Sequence, residues 1–372
     1  MKRGTLARMV FMGLLLVSLT ACAGGGEASS GEAGSQSEDI PVIAPVPEPV
    51  VEPEPEPEPE PVYPYTNPLT GEGIMEDIGA RRPIAVMLNN LEKALPQLGV
   101  GQADVIYEIV AEGGITRMMA LYQDIEGAGD LGSIRSARDY YVNLAYGHDA
   151  IYVHAGGSPQ AYEAIKGWGV SAIDFVNGPN GVDSWRDPER RASAGYEHSL
   201  LTSSSNLLEQ MPSWFRQEHK DGYEVGWTFD RELPAGGEGA EAVTVPFSTY
   251  KTGYFTYDQE SGQYAVSQHI NGRDREYVDG NTGEKVLVSN VLVLRTNISL
   301  IAGDSAGRMS VGTTGSGEGV LFRDGQVWPI TWQRESRSGC YRFVGADGGD
   351  IPLKPGSSYI NVVSTSAQVE WE

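Results

Sequence analysis

The sequence predicts an α+β protein, a mixed α/β sheet domain followed by a mainly antiparallel β domain. Three observations predict it. Apolar strand-like runs alternate with helix-like segments between residues 82 and 168, the pattern of a sheet covered by helices. Beyond residue 231 come VTVPFS, GYFTYD, QYAVSQ and KVLVSNVLVLRTN, split by Gly, Asp and Asn turns, the pattern of antiparallel β. Ahead of both, a stretch rich in Gly, Ser, Glu and Pro builds no core. The predicted organisation is a leader over 1–21, a flexible then Glu-Pro-rich linker over 22–62, the α/β domain over 63–235 and the β domain over 236–372.

The leader reads MKRGTLARMVFMGLLLVSLTAC. Lys2, Arg3 and Arg8 precede an apolar run, Val10 to Leu19, that is short for a membrane span. Leu19-Thr20-Ala21-Cys22 resembles the bacterial lipobox, which implies acylation of Cys22 (palmitate or a similar chain). The lipid bilayer is then one partner, and the outer face of the bacterial cytoplasmic membrane the expected location. Alternating Glu-Pro from Pro45 to Pro61 favours extended polyproline II and would reach roughly 50 Å at about 3.1 Å per residue. It reads as a stalk.

The three basic residues of the leader and ten acidic residues of the linker aside, 24 basic face 40 acidic side chains, a net charge of −16 over 63–372. That balance argues against nucleic acid as a partner. Only Cys22 and Cys340 exist. With Cys22 acylated, no internal disulfide forms, and Cys340, with no histidine near it in sequence, reads as an inert strand residue.

In chain order, NPLTG at 67–71 is a turn. Pro83 opens a strand from Ile84 to Leu88, ending in Asn89-Asn90. Val105 to Val110 and the following GGITRMMALYQD form a hairpin bent at Ala111 to Gly114. Ser136 is the expected cap of a helix with body Ala137 to Ala145, ended by Gly147. IYVHAGGSPQAYEAI at 151–165 then moves from strand to helix, with Pro159 at the first helical position. SAIDFV is a further strand, an Arg-rich loop follows, and a Ser-capped helix spans Ser203 to Gln210.

These motifs carry a resemblance. NPLTG, RPIAVMLNN at 82–90, QADVIYEIVAEGGITRMMALY at 102–122 and GSIRSARDYYVNLAYGHDAIYVHAGGSPQAYEAI at 132–165 resemble the YerB-like lipoprotein family, also called DUF3048. YVDGNTGEKVLVSNVLVL at 277–294 and DIPLKPGSSYINVV at 350–363 resemble its companion C-terminal domain. The resemblance agrees with the lipobox and implies no particular chemistry.

The residues themselves suggest an anion site. His154 ends a strand, a usual place for a pocket in an open sheet. Gly156, Gly157 and Ser158 open a helix whose free N–H groups attract anions. Arg117, Arg135, Arg138, Arg186 and Arg190 are available to gather around a carboxylate, phosphate or glycan. Trp185 is the surface aromatic best placed to stack on a ligand. A cell-wall or anionic small molecule, or an envelope protein, is the expected partner. The alternative is an envelope hydrolase or transferase built from His154, His198, Glu108 and Glu112. No GKS or GKT follows the glycines, and no HExxH or clustered Cys/His spacing is present, so neither a metal nor a cofactor is expected.

Overall fold

A computed structural model of the chain describes residues 62–178 and 181–372. The leader, Cys22 and the Glu-Pro linker lie outside the described residues. Among the described residues no helix is long and apolar enough to cross a membrane. The turn at 67–71 forms as expected. Asn67 Oδ1 accepts the Leu69 N–H at 2.9 Å, and Gly71 takes a φ of 68°, which costs glycine little.

β1 (Ile84–Asn90) is buried at every position, as its unbroken apolar run requires of an interior strand. β2 (Val105–Val110) and β3 (Thr116–Tyr122) form the expected hairpin, from Val105 opposite Leu121 to Val110 opposite Thr116. α1 spans Asp139–Gly147, not 137–145, and Ser136 does not cap it. The reason is tertiary. Residues 134–137 are drawn out across the strand ends, where Ile134, Arg135 and Ala137 donate their N–H groups to Leu200, Met87 and Gly156. These bonds hold the segment extended through Arg138 (φ −130°, ψ 148°), so the helix starts only at Asp139.

β4 (Ile151–His154) lies parallel to β1, and α2 (Pro159–Trp168) follows it. Ser158 Oγ caps α2 by accepting the Ala161 N–H at 3.1 Å, and Gly169 ends it at φ 66°. β5 (Ala172–Asp174) is shorter than SAIDFV because Asp174 Oδ1 turns the chain back by accepting the Val176 N–H. The Ser-capped helix spans Ser204–Glu209.

In the second half, β6 (Ala242–Pro246), β7 (Lys251–Asp258) and β8 (Gln263–Ile270) make an antiparallel meander. β9 (Asn290–Thr296), β10 (Gly315–Arg323) and β11 (Gln326–Arg334) make another. β12 (Ser358–Ser364) departs from the antiparallel pattern, pairing parallel to β9 on one side and parallel to β2 on the other. The main sheet therefore runs β11-β10-β9-β12-β2-β3-β1-β4-β5, with the short strands Glu238–Gly239 and Arg342–Val344 added on β11. The line at 235/236 divides the sequence but not this sheet, and the described residues from 62 to 372 form one compact unit.

Strand alternation sorts the core onto two faces. Val86, Ile106, Met118 and Tyr359 pack with Phe255 and Val266 of the meander. Met87, Tyr107, Met119 and Ile360 pack with Tyr141 and Ala145 of α1 and Ala161 of α2. Within the first layer lies a buried ion pair, Glu108 to Lys251 Nζ at 3.2 Å. Glu108 also accepts from the Tyr359 hydroxyl, Thr116 Oγ1 and Asn90 Nδ2, and Lys251 donates to Gln268 Oε1.

Candidate functional site

β1, β4 and β5 run parallel, so their carboxyl ends share one edge, where open α/β sheets take ligands. Three elements converge on that edge. Residue 117 of β3 lies opposite Asn89 of β1 in the ladder. The drawn-out segment 134–138 crosses the strand ends and presents Arg135 and Arg138. The turn Tyr196–His198 folds over from the other side.

The arginines are tied to one another through carboxylates and carbonyls. Arg138 Nε and Arg117 Nη2 both donate to Glu112, the latter at 3.3 Å. Arg117 also donates to the Ser136 carbonyl, and Arg135 Nη2 donates to Glu197 at 2.9 Å. Three guanidinium groups thus face two carboxylates, a local positive excess on a chain of the opposite sign. Burial, then the neighbouring Arg138, pushes the Arg117 pKa down to about 10, so it stays charged at neutral pH. Burial raises the Glu112 pKa, but its hydrogen bond from Arg138 and the charge of Arg117 outweigh that and hold it below the usual range. Arg117 Nε, Arg135 Nε and the Tyr152 hydroxyl are buried with no hydrogen-bond partner. The Tyr152 phenol lies within electrostatic reach of Arg117 and Arg138.

His198 Nδ1 accepts from Asn89 Nδ2 at 2.9 Å, which leaves any ring proton on Nε2 in the neutral form. Burial and Arg135 lower its pKa. His154 sits apart in its own group. Its Nδ1 donates to the Gly156 carbonyl at 2.9 Å, and its ring stacks on Tyr152. Burial lowers its pKa, against the pull of Asp174 Oδ1 at 3.9 Å.

The glycine turn does not present the free N–H groups expected of it. Asp174 Oδ1 accepts the Gly156 N–H at 2.8 Å, and the Ser158 N–H donates to the Ala137 carbonyl. Ser158 Oγ is used as the cap, and a side chain added at Gly157 would meet Ala137 and Tyr162. An internal carboxylate holds the place where an anion was expected. The other predicted residues are dispersed. Arg186 donates to the Tyr196 carbonyl and stacks over its ring at 3.9 Å. Arg190 donates to the carbonyls of Ala94 and Pro96. Trp185 is half-buried in a short strand paired with Leu201. Glu108 lies in the ion pair with Lys251 and is joined to His198 only through Asn90, Gln97 and Asn89, and no hydrogen bond joins any two of His154, His198, Glu108 and Glu112 directly.

Sequence reasoning missed Asn89, Tyr152 and Glu197 in the cluster. Asn89-Asn90 at the end of an apolar strand was the available signal. It also missed a partner for Cys340. His148 Nδ1 lies 3.3 Å from Cys340 Sγ, and its Nε2 lies 2.8 Å from the Tyr107 hydroxyl. Burial raises the thiol pKa to about 11 and lowers that of His148 to about 3, so the pair is neutral and not a thiolate nucleophile.

That neutral histidine sets a pH dependence. His148 ionises near its ordinary value of about 6.5 once unfolded, so between pH 6.5 and about 3 the unfolded chain binds the extra proton. Stability is expected to fall as pH drops through that window, by about 2–3 kcal/mol at pH 4.5 from this residue. Urea melts at pH 7 and 4.5 on the parent and His148→Gln check it. The parent should lose more than the variant, and equal losses refute a buried neutral imidazole.

Comparison with known proteins agrees with this architecture. The model of the DUF3048 N-terminal domain, described as a protein of unknown function, matches residues 69–214, and that of the DUF3048 C-terminal domain matches 243–360. The chain is 29% identical to the "Putative lipoprotein YerB" of Bacillus subtilis (strain 168) over 306 residues, 80% of this chain and 85% of that one. A crystal structure of the YerB protein from Bacillus subtilis superposes with a TM-score of 0.69 at 27% identity, covering 82% of this chain and 99% of that one. With both domain models matched in order and the fold shared along most of its length, the chain belongs to the YerB-like, DUF3048 family of lipoproteins.

Proposed function

We propose that this lipoprotein is an extracytoplasmic binding protein, anchored through acylated Cys22, whose cluster of Arg117, Arg135 and Arg138 takes an anionic group. The observation that carries the reading is the set of buried donors left without partners there, Arg117 Nε, Arg135 Nε and the Tyr152 hydroxyl. Buried polar groups are almost always paired, and a carboxylate or phosphate oxygen is the kind of acceptor such donors take. The ligand class is a carboxylate or phosphate borne by an envelope polymer, glycan or peptide. The hydrolase reading has less support, because no hydrogen bond joins any two of its four candidate residues directly.

Calorimetric titration with inorganic phosphate, acetate and phosphate- or carboxylate-bearing wall fragments tests the reading. Binding is expected, weakening with added salt as exposed charge is screened. Absence of binding for every anion at low salt would sink it. The anchor has its own test. Cys22→Ser should move the protein from the membrane fraction to the medium, and mass analysis of the parent should find an acylated Cys22. A membrane-bound serine variant contradicts the anchor.

A further inference from the structure

Between the turn at residues 66–68 and the loop 219–229 lies a cavity of about 300 Å³, the lower end of the range of small-molecule sites. Aromatic rings form much of its wall: Tyr223, Trp227 and Phe229, with Pro68 and Val225 beside them. His219 lines it too, with a side chain 8% exposed. Its ring is held on two sides. Asp149 Oδ2 accepts its Nδ1–H at 3.2 Å, and the Tyr223 ring stacks on its face at 4.0 Å. Asp149 is itself fixed by Arg216, whose Nη1 and Nη2 donate at 3.0 and 2.7 Å, and by the Lys220 N–H. Burial raises the Asp149 pKa, but the hydrogen bonds from His219, Arg216 and Lys220 outweigh it and hold the carboxyl well below the usual range. An ionised carboxylate on Nδ1–H leaves the lone pair of the neutral ring on Nε2. Nε2 has no partner among the described residues and keeps surface open to water.

The charge of the lining decides what fits. It holds no Lys or Arg, and its one acidic residue is the exposed Glu224. A carboxylate or phosphate finds no cation there and meets Glu224. A cation meets Lys220, whose Nζ lies 5.9 Å from the centre of the Tyr223 ring and offsets Glu224. Of the other polar side chains, Asn67, Tyr223 and Trp227 are bonded to Asp104, Cys340 and the Tyr341 carbonyl.

We infer that this cavity binds a neutral, hydroxylated ring, a single sugar unit, with one hydroxyl donating to His219 Nε2 and the apolar face of the ring against the aromatic wall. The aromatic wall supplies affinity by removing area from water, and the fixed acceptor sets the orientation. Asp149 lies just before β4, at the end of that strand opposite the arginine cluster, so either reading can fail alone.

The probes are glucose, glucuronate and glucosamine, which share the ring and differ in charge. Titrations followed by NMR use the Cys22→Ser, Arg117→Ala chain, so that the arginine cluster adds no carboxylate binding. Glucose is expected to bind in the low millimolar range, the weak affinity of a ligand of this size, and to shift the indole N–H resonance of Trp227. Glucuronate should bind about tenfold more weakly, since its carboxylate faces Glu224, and glucosamine no more tightly than glucose. No binding of glucose, an unmoved Trp227 resonance, glucuronate as tight as glucose, or glucosamine tighter than glucose overturns the proposal. His219→Asn keeps a donor for Asp149 and removes the Nε2 acceptor. It should weaken glucose about three- to tenfold, the factor for one hydrogen bond, and unchanged affinity overturns the role of Nε2. Since His219 also braces Asp149, Glu224→Arg at the exposed rim is the second variant. It should bring glucuronate to at least the affinity of glucose with the fold intact, and unchanged discrimination there overturns the location.

Discussion

Replacing Glu108 by alanine is expected to lower the unfolding free energy by about 3–5 kcal/mol, the range for breaking a buried ion pair from one side. Glu108 and Lys251 are both shielded from water, their side chains 1% and 2% exposed. Without the carboxylate, the Lys251 ammonium keeps Gln268 Oε1 at 2.7 Å as its hydrogen-bond partner, and the Tyr359, Thr116 and Asn90 donors lose their acceptor. Burial lowers the Lys251 pKa and Glu108 raises it, so losing Glu108 drives the lysine toward the neutral form. Urea denaturation checks the loss. Glu108→Gln with Lys251→Met removes both charges and keeps an acceptor, so it should recover most of the stability. A small effect of Glu108→Ala alone would show that water reaches this layer. Because Glu108 is on β2 and Lys251 on β7, hydrogen exchange in the variant should rise first where the second sheet meets the main one.

Replacing Arg117 by alanine is expected to weaken anion binding by about 10- to 100-fold, the equivalent of losing a charge-assisted hydrogen bond of 1.5–3 kcal/mol. Arg117 is the deepest of the three guanidinium groups, with a 5% exposed side chain, and the low local dielectric strengthens its bonds. Its loss also leaves Glu112 paired with Arg138 alone. Arg135→Ala should cost less, since Arg135 is already held by the exposed Glu197. Arg190→Ala is the control. Arg190 is bound to the carbonyls of Ala94 and Pro96, so its removal should lower stability and leave anion affinity unchanged. Titration of inorganic phosphate into all four proteins gives the comparison. Equal affinities for the parent and Arg117→Ala would place binding elsewhere.

Much of the first half was legible because its signals are local. The hairpin needed only two apolar runs and a Gly-Gly bend, and the start of α2 needed only Ser158 and Pro159. The start of α1 was not legible. Ser136 is a good local cap, and it failed because pairing with the strand ends holds the chain extended through Arg138. β12 reads as an ordinary β segment, and no local signal shows that it pairs parallel to both its neighbours.

The candidate site divides in the same way. Arg117, Arg135 and Arg138 stand out as arginines in an acidic chain, whereas Asn89, Tyr152 and Glu197 look like strand-end and loop residues. The leader pattern, the family, the α+β class and most element positions follow from the sequence alone, since periodicity, caps and motifs act over a few residues. Only the tertiary structure decided that three arginines meet, that Asp174 fills the Gly156 turn and that Cys340 faces a neutral His148. Those outcomes depend on strand order and crossing segments, which bring together residues as far apart in the chain as His148 and Cys340 and set their charge by burial.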